Sequence, residues 1–413
     1  MSYNFIPFSP NQPTYSGMFA GRLQEISRID EILFHVKQGN PTNIIITGER
    51  GIGKSSLLLV TNYFSKGLLS WKDTTHNFLT IQLSIDTDMT IEQFVVKIKN
   101  ELDRELNKIN VIKDGFKRIW DFAQRLEMIG CGLKEKKQNN ISAYDSLCYS
   151  LSDTLKMLTT NSKAKEIGLE KEKDGIVLLI DEADNANKNM KLGVFIKNLT
   201  EYLVKEGNNK FLFLLSGLPK IIDVLRESHE SSLRLFDIFG LNQLTQKETT
   251  YIINKGVEEF NQKNNLVMKI TDEAYEYFFE YSEGYPHFIQ QIAYSTFQID
   301  NDLSINKDDV KKGMFNKSGA LEKIGDRYYK DIYFNKINVE SYREILKIMS
   351  KKWNLWITKE EIKKQFSGKE SVLNNGIKAL RDRNIILSKK GSYGVYRLQW
   401  KSFAFWLKYY TRK

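Results

Sequence analysis

The sequence predicts an α/β fold, with a parallel sheet covered by helices on both faces, then a helical segment, then a small basic domain ending in a β-hairpin. Three observations predict it. Four short apolar runs, Asn43–Thr47, Phe78–Ile85, Ile176–Ile180 and Phe211–Leu215, read as strands separated by segments of helical period, the alternation that builds parallel sheets through crossover helices. The first run leads into a glycine-rich stretch, TGERGIGKSSL, at Thr47–Leu57. After roughly Asp272 the pattern becomes helical, and the last quarter carries the excess positive charge.

Taken in order, the first seventeen residues hold three of the six prolines and read as an extended segment. Gly21–Val36 places Leu23, Ile26, Ile29, Ile32 and Leu33 at helical spacing. Ser55–Lys66 reads as a helix opening directly from the glycine-rich loop. Ile91–Leu106 and Val111–Met128 follow as helices, with a polar break near Lys134–Asn140. Asn161–Gly175 is so charged that it reads as a mobile connection. Leu192–Lys205 is helical, as are Asp272–Tyr281 and Pro286–Phe297. A further domain is expected from about Tyr328. Tyr342–Ser350 is its first helix, and Thr358 with Glu361 three residues on forms a capping box for the second. Glu370–Arg383 is the third helix, Asn384–Leu387 and Val395–Leu398 are strands around SKKGSYG, and the aromatic stretch Trp400–Tyr410 closes the chain. Three helices and a hairpin are the order of a winged helix. The expected domains are an N-terminal segment 1–17, an α/β core 18–240, a helical lid 241–325 and a winged helix 326–413.

Composition narrows the class. A chain of 413 residues with 41% hydrophobic and 27% charged residues has ample core for two or three globular domains. Its longest apolar runs are too short to cross a bilayer, its N-terminus lacks the pattern of a secretory signal, and no membrane association is expected. Cys131 and Cys148 lack metal-ligand spacing, which points to a reducing, cytoplasmic setting. Residues 321–413 carry 22 Lys and Arg against 9 Asp and Glu, a local net of +13, so the remainder is slightly acidic. A basic segment of this kind suits a polyanion, nucleic acid first.

The stretch Gly48–Ser55 fits G-x-x-x-x-G-K-[ST], with strand before and helix after. Glycines let backbone N–H groups turn inward around a phosphate, and the helix N-terminus adds its positive end. Gly48, Arg50, Gly51, Ile52, Gly53, Lys54, Ser55 and Ser56 are therefore the expected cradle of ATP, with Lys54 toward the β- and γ-phosphates and the Ser55 hydroxyl on Mg²⁺. Asp181, at the end of a neighbouring buried strand, is the second metal anchor. Glu182 beside it can polarise an attacking water. Ser216 ends the next strand, where a polar group can sense the γ-phosphate. Arg234 is a candidate charge-stabilising finger toward a neighbouring subunit.

Together these residues resemble the AAA+ superfamily of P-loop ATPases, within the group that links origin-recognition initiators, STAND switch ATPases and transposition regulators. The resemblance covers roughly residues 17–300 and implies a RecA-like core with Walker A and Walker B motifs, ATP and Mg²⁺ between that core and a helical lid, and slow, regulatory hydrolysis. MFAGRLQEISRIDEIL resembles the box before the P-loop, which implies Phe19, Gly21 and Arg22 beside adenine. Gly284-Tyr285-Pro286-His287 resembles the lid motif of STAND proteins, which implies Pro286 and His287 near the nucleotide, although initiators carry an arginine at the His287 position. A winged helix after the lid agrees with the group. In it Lys378, Arg381 and Arg383 would line the third helix, and Lys389, Lys390 and Tyr393 the wing, against DNA. The expected protein is a nucleotide switch that controls oligomerisation and DNA engagement, as a homo-oligomer or with a partner in a replication, transposition or defence system. The alternative is a defence or signalling scaffold whose winged helix docks a protein effector.

Overall fold

The computed structural model describes residues 4–12, 19, 21–72, 74–109, 143–352, 355–389 and 391–411. The helix expected at Val111–Met128 and the break at 134–140 lie outside them, as do Cys131 and Lys390. The chain divides into two compact units, residues 22–242 and residues 1–21 with 243–413.

Residues 22–242 form a five-stranded parallel sheet. The elements are α1 (Leu23–Lys37), β1 (Asn43–Thr47), α2 (Lys54–Ser65), β2 (Leu79–Ser84), α3 (Ile91–Lys108), α4 (Ala143–Thr159), α5 (Asn161–Glu166), β3 (Ile176–Asp181), α6 (Leu192–Lys205), β4 (Phe211–Gly217), α7 (Ile221–Ser228) and β5 (Phe236–Gly240). The strand order is β2-β3-β4-β1-β5, all neighbours parallel. Ile44–Ile46 of β1 and every residue from Ile176 to Ile180 are fully buried, which is why these strands read as unbroken apolar runs rather than alternating ones. The register sets Ile46 opposite Ser216 and Ile180 opposite Leu215, so the ends of β1, β4 and β3 lie level. A core built around Phe94, Leu102, Leu151, Phe195, Leu199 and Phe213 joins the sheet to α3, α4 and α6.

The connection 161–175 is not the mobile stretch its charge suggests. Its first residues form α5, Ala164 and Ile167 are buried, and the Asp174 carboxylate accepts from the Asn77 backbone N–H at 2.7 Å and pairs with Lys37 at 3.0 Å. Three anchors fix it, Lys173 adds a hydrogen bond to Asn77 Oδ1 at 2.7 Å, and Lys165, Glu166, Glu170 and Lys171 face solvent. The strand β5 was not expected from the sequence. As an edge strand its Ile238 and Gly240 are exposed and its other residues only partly covered, so it lacks the buried run that betrays the central strands.

The second unit contains α8 (Gln246–Asn264), β6 (Lys269–Ile270), α9 (Asp272–Ser282), α10 (Pro286–Ile299), β7 (Ser304–Ile305), α11 (Lys307–Phe315), α12 (Ala320–Ile324), α13 (Glu340–Ser350), β8 (Ile357–Thr358), α14 (Lys359–Lys363), α15 (Glu370–Asp382), β9 (Ile386–Ser388), β10 (Val395–Leu398) and α16 (Lys401–Tyr410). The N-terminal segment is anchored rather than loose. Phe8 is 1% exposed, meets Phe297 edge-on at 5.0 Å and occupies the space a side chain at Gly256 would need. Strand β10 pairs antiparallel with both β8 and β9, completing a three-stranded sheet beside α13, α14 and α15. The capping box of Thr358 and Glu361 is present.

Residues 243–413 hold together through an aromatic seam. Between α12 and α13 the chain runs as π-helical turns, Gly325–Tyr329 and Asp331–Lys336. Tyr329 packs on Phe403 at 4.9 Å and Trp400 at 5.7 Å, Tyr333 packs on Trp406 at 5.8 Å, and the Trp406 indole fills the place of a side chain at Gly325. These contacts tie α16 to the turns from which a separate domain was expected to start. No helix among the described residues is long and apolar enough to cross a membrane.

Candidate functional site

The loop between β1 and α2 is shaped by two left-handed glycines, Gly51 (φ 80°) and Gly53 (φ 97°), a conformation that costs any other residue dearly. Gly48 is close-packed as well, because a Cβ there would stand 2.9 Å from Ile52 and 3.1 Å from the Leu241 carbonyl. Helix α2 opens at Lys54 with no side-chain cap, so its N-terminal dipole faces the loop. The Lys54 ammonium donates to the Gly48 and Glu49 carbonyls at 2.9 Å each. Burial lowers its pKa, opposed by the nearby charges of Asp181 and then Asp184.

The two metal candidates meet. The Ser55 hydroxyl donates to Asp181 Oδ2 at 2.8 Å, although the residues are 126 positions apart. Asp181 Oδ1 accepts from the Glu182 N–H at 2.9 Å. Hard oxygens from one hydroxyl and one carboxylate, at the mouth of a phosphate-shaped loop, fit Mg²⁺, which keeps waters and phosphate oxygens around few protein ligands. Glu182 is exposed and left-handed (φ 52°), and its Oε2 accepts from Asn185 Nδ2 at 3.4 Å. Ser216 is 0% exposed and its hydroxyl has no partner among the described residues. It stands level with Asp181 on the intervening strand, a buried polar atom at the same end of the sheet.

Sequence reasoning passed over Asp184. This residue is 7% exposed, accepts from the Leu218 N–H at 3.0 Å, pairs with Lys220 at 3.3 Å and packs so closely on Gly217 that a Cβ there would stand 2.8 Å from its Oδ1. It thereby locks the exit of β3 to the exit of β4. The signal available was its place two residues after the carboxylate pair, which is too common a pattern to single out.

The remaining expected residues are placed less uniformly. Arg50 and Arg234 are exposed, and Ser56 lies in the first turn of α2. Phe19 is half-buried. Gly21 is left-handed (φ 73°) and close-packed on Leu244 and Glu248. Arg22, expected beside adenine, is 6% exposed, and its guanidinium donates to the Asn242 carbonyl at 2.6 Å and the Ile52 carbonyl at 3.2 Å. In the second unit, Pro286 is the first residue of α10. His287 turns to its own unit. Its Nε2 lies 3.0 Å from the Arg327 guanidinium, its ring meets Tyr328 at 5.2 Å, and burial together with Arg327 lowers its pKa to about 4. The imidazole is thus neutral, with Nε2 accepting.

The basic residues of the last domain divide into two groups. Lys378 and Lys389 are exposed, and Tyr393, between two left-handed glycines at the hairpin tip, is 103% exposed. Arg381 lies 3.9 Å from Asp382. Arg383, expected against DNA, is exposed and donates to the Lys336 carbonyl at 2.6 Å. Elsewhere Lys359 and Lys363 both pair with Glu370, and Lys352 pairs with Glu361.

No protein-family model matches the chain. Over 320 residues it is 23% identical to an uncharacterized HTH-type transcriptional regulator of Methanocaldococcus jannaschii, a match spanning 71% of this chain and 66% of that relative, just under two thirds of its length. Among solved structures it is similar to the Walker-type ATPase of Pyrococcus abyssi, at 14% identity and a TM-score of 0.57 over 96% of this chain and 99% of the other. It is equally similar to the ORC2 protein of Aeropyrum pernix in ADPNP–ADP complexes, at 13% identity and a TM-score of 0.57 over 98% and 94%. The fold is that of Walker-type and origin-recognition AAA+ ATPase structures, as the resemblance in the sequence implied.

Proposed function

We propose that this chain is a nucleotide-controlled switch that binds ATP with Mg²⁺ at Gly48–Ser56, hydrolyses it slowly, and thereby controls oligomerisation and engagement of DNA. The observation that carries the reading is the meeting of Ser55 and Asp181 at 2.8 Å beside the glycine loop. Bound Mg²⁺ would supply neutralisation of phosphate charge. The chain supplies the rest. Loop N–H groups and the α2 dipole bind the phosphates, Lys54 exchanges its loop carbonyls for phosphate oxygens, and Ser55 and Asp181 hold the metal. Glu182 accepts the proton of the attacking water, and Ser216 orients toward the γ-phosphate. Exposed Arg234 is the group available to a neighbouring copy's nucleotide.

The output lies in the C-terminal domain, whose three helices and hairpin we read as a winged helix. Lys378, Arg381, Lys389, Lys390 and Tyr393 offer it a basic, aromatic-tipped face for DNA, and the name of the archaeal relative agrees with that reading. A second reading rests on the pairing of Lys352, Lys359 and Lys363 within the domain, which leaves less free charge than the net of +13 suggests and suits docking of a protein effector. Fluorescent duplex DNA titrated at several salt concentrations separates the two. Salt-dependent binding that weakens on Lys378→Ala and Lys389→Ala supports the first, and binding indifferent to salt and to both changes contradicts it.

A further inference from the structure

We propose that Arg22 is a positioning residue that couples the phosphate loop to the two adjacent passages of the chain between its units. The proposal rests on the reading of that loop as an ATP site. The chain passes between units at 21–22 and again at 242–243. Arg22 and Asn242 flank these passages, and the same guanidinium holds the Asn242 carbonyl at 2.6 Å and the Ile52 carbonyl of the phosphate loop at 3.2 Å. A planar fork with several donors can hold two carbonyls at once, which an ammonium does less well. The side chain is buried, with Glu25 at 3.9 Å as counter-charge.

The segment that Arg22 holds is itself fastened at each end. Toward the loop, the Leu241 N–H donates to the Thr47 carbonyl at 2.7 Å, and Leu241 closes the space beside Gly48. Past the passage, Gln243 Nε2 donates to the Tyr285 hydroxyl at 2.9 Å and the Leu244 N–H donates to the Gly284 carbonyl at 2.8 Å. Leu244 is gripped by two glycines, since a Cβ at Gly21 would stand 2.5 Å from its Cδ2 and one at Gly284 would strike its carbonyl. Residues 241 and 242 are thus fastened to Thr47, Gly48 and Ile52 within one unit, and residues 243 and 244 to the Gly284-Tyr285 turn within the other. A shift of Ile52 as phosphate enters the loop moves the Arg22 fork, and with it Asn242. Arg22 makes the end of the loop and the start of the connector one mechanical piece.

Hydrogen exchange on the full chain tests this, with Arg22→Gln, Arg22→Lys and a Glu25→Gln control checked for folding by circular dichroism. Without nucleotide, Arg22→Gln is expected to speed exchange at least about tenfold in two peptides together, 48–53 and 241–246. Arg22→Lys is expected to recover part of the effect, and Glu25→Gln to show little. If Arg22→Gln does not fold, partial loosening of the same two peptides in Arg22→Lys is the deciding result. With a non-hydrolysable ATP analogue and Mg²⁺ at concentrations that saturate each protein, wild type gains protection in 241–246 and Arg22→Gln does not. Loosening of one peptide without the other, or an unchanged nucleotide response in Arg22→Gln, overturns the coupling. A wild type that binds no analogue overturns the ATP reading instead and leaves the nucleotide-free arm to judge the clamp.

Discussion

The two units place polar chemistry in opposite ways. In residues 22–242 the functional groups sit at the ends of buried strands, where Ser216 is fully enclosed and Asp181 reaches Ser55 across the sheet. In residues 243–413 the candidate DNA-facing groups lie on solvated helix and hairpin surfaces, and several charged neighbours are spent on one another or on backbone carbonyls. A polar residue closing an apolar strand has few reasons to be there other than chemistry. A lysine on an exposed helix has many, so a count of charge overstates what is free to meet a partner.

Four measurements press on this contrast. The largest effect is expected from Lys54→Ala, which removes charge-assisted hydrogen bonds to phosphate and should weaken ATP-analogue binding by about a hundredfold in a fluorescence titration. DNA binding without nucleotide should be unchanged, since the basic face belongs to the other unit. Next is Glu283, in the turn before Gly284, whose carboxylate accepts from the N–H of Lys401 at the start of α16 at 2.5 Å. Burial raises its pKa to about 7, against the hydrogen bonds that favour the charged form. The folded state therefore holds the proton more tightly than the unfolded chain, and stability falls as pH rises from about 4.5 to 7. The loss is on the order of 3 kcal/mol. Glu283→Gln should abolish this slope in urea melts followed by tryptophan fluorescence, and a slope that survives the change contradicts the assignment.

A smaller effect is expected from Lys378→Ala and Lys389→Ala, each lowering DNA affinity several-fold at low salt and reducing the salt slope by about one. The smallest belongs to Lys363→Ala. Its exposed pair with Glu370 should contribute little to stability, and its loss should leave DNA affinity within twofold. A Lys363 effect as large as that of Lys389 would erase the distinction between free and paired lysines.

The phosphate loop, the strand ends and the capping box at Thr358 were legible in the sequence because each is local. Gly51, Gly53 and Lys54 carry their chemistry in spacing alone, and Ile176–Asp181 announces a buried strand by composition. What escaped was long-range. Edge strand β5 lacks a buried run, Asp184 acquires its role only when β4 arrives beside it, and Arg22 shows its partners only once Ile52 and Asn242 converge. The seam of Tyr329, Tyr333, Trp400 and Trp406 was visible as aromatic content but not as the bond between α16 and the turns after α12. Charge misled at 161–175, because composition does not say which few residues turn inward.

The central claim is that Glu182 is the base of an ATP-hydrolysing site, and Glu182→Gln tests it most directly. ATP-analogue affinity in the presence of Mg²⁺ and single-turnover phosphate release should be measured on the same preparation. Affinity is expected to stay within threefold of wild type while release slows by at least about a hundredfold. Phosphate release at the wild-type rate in the Glu182→Gln protein would contradict the account.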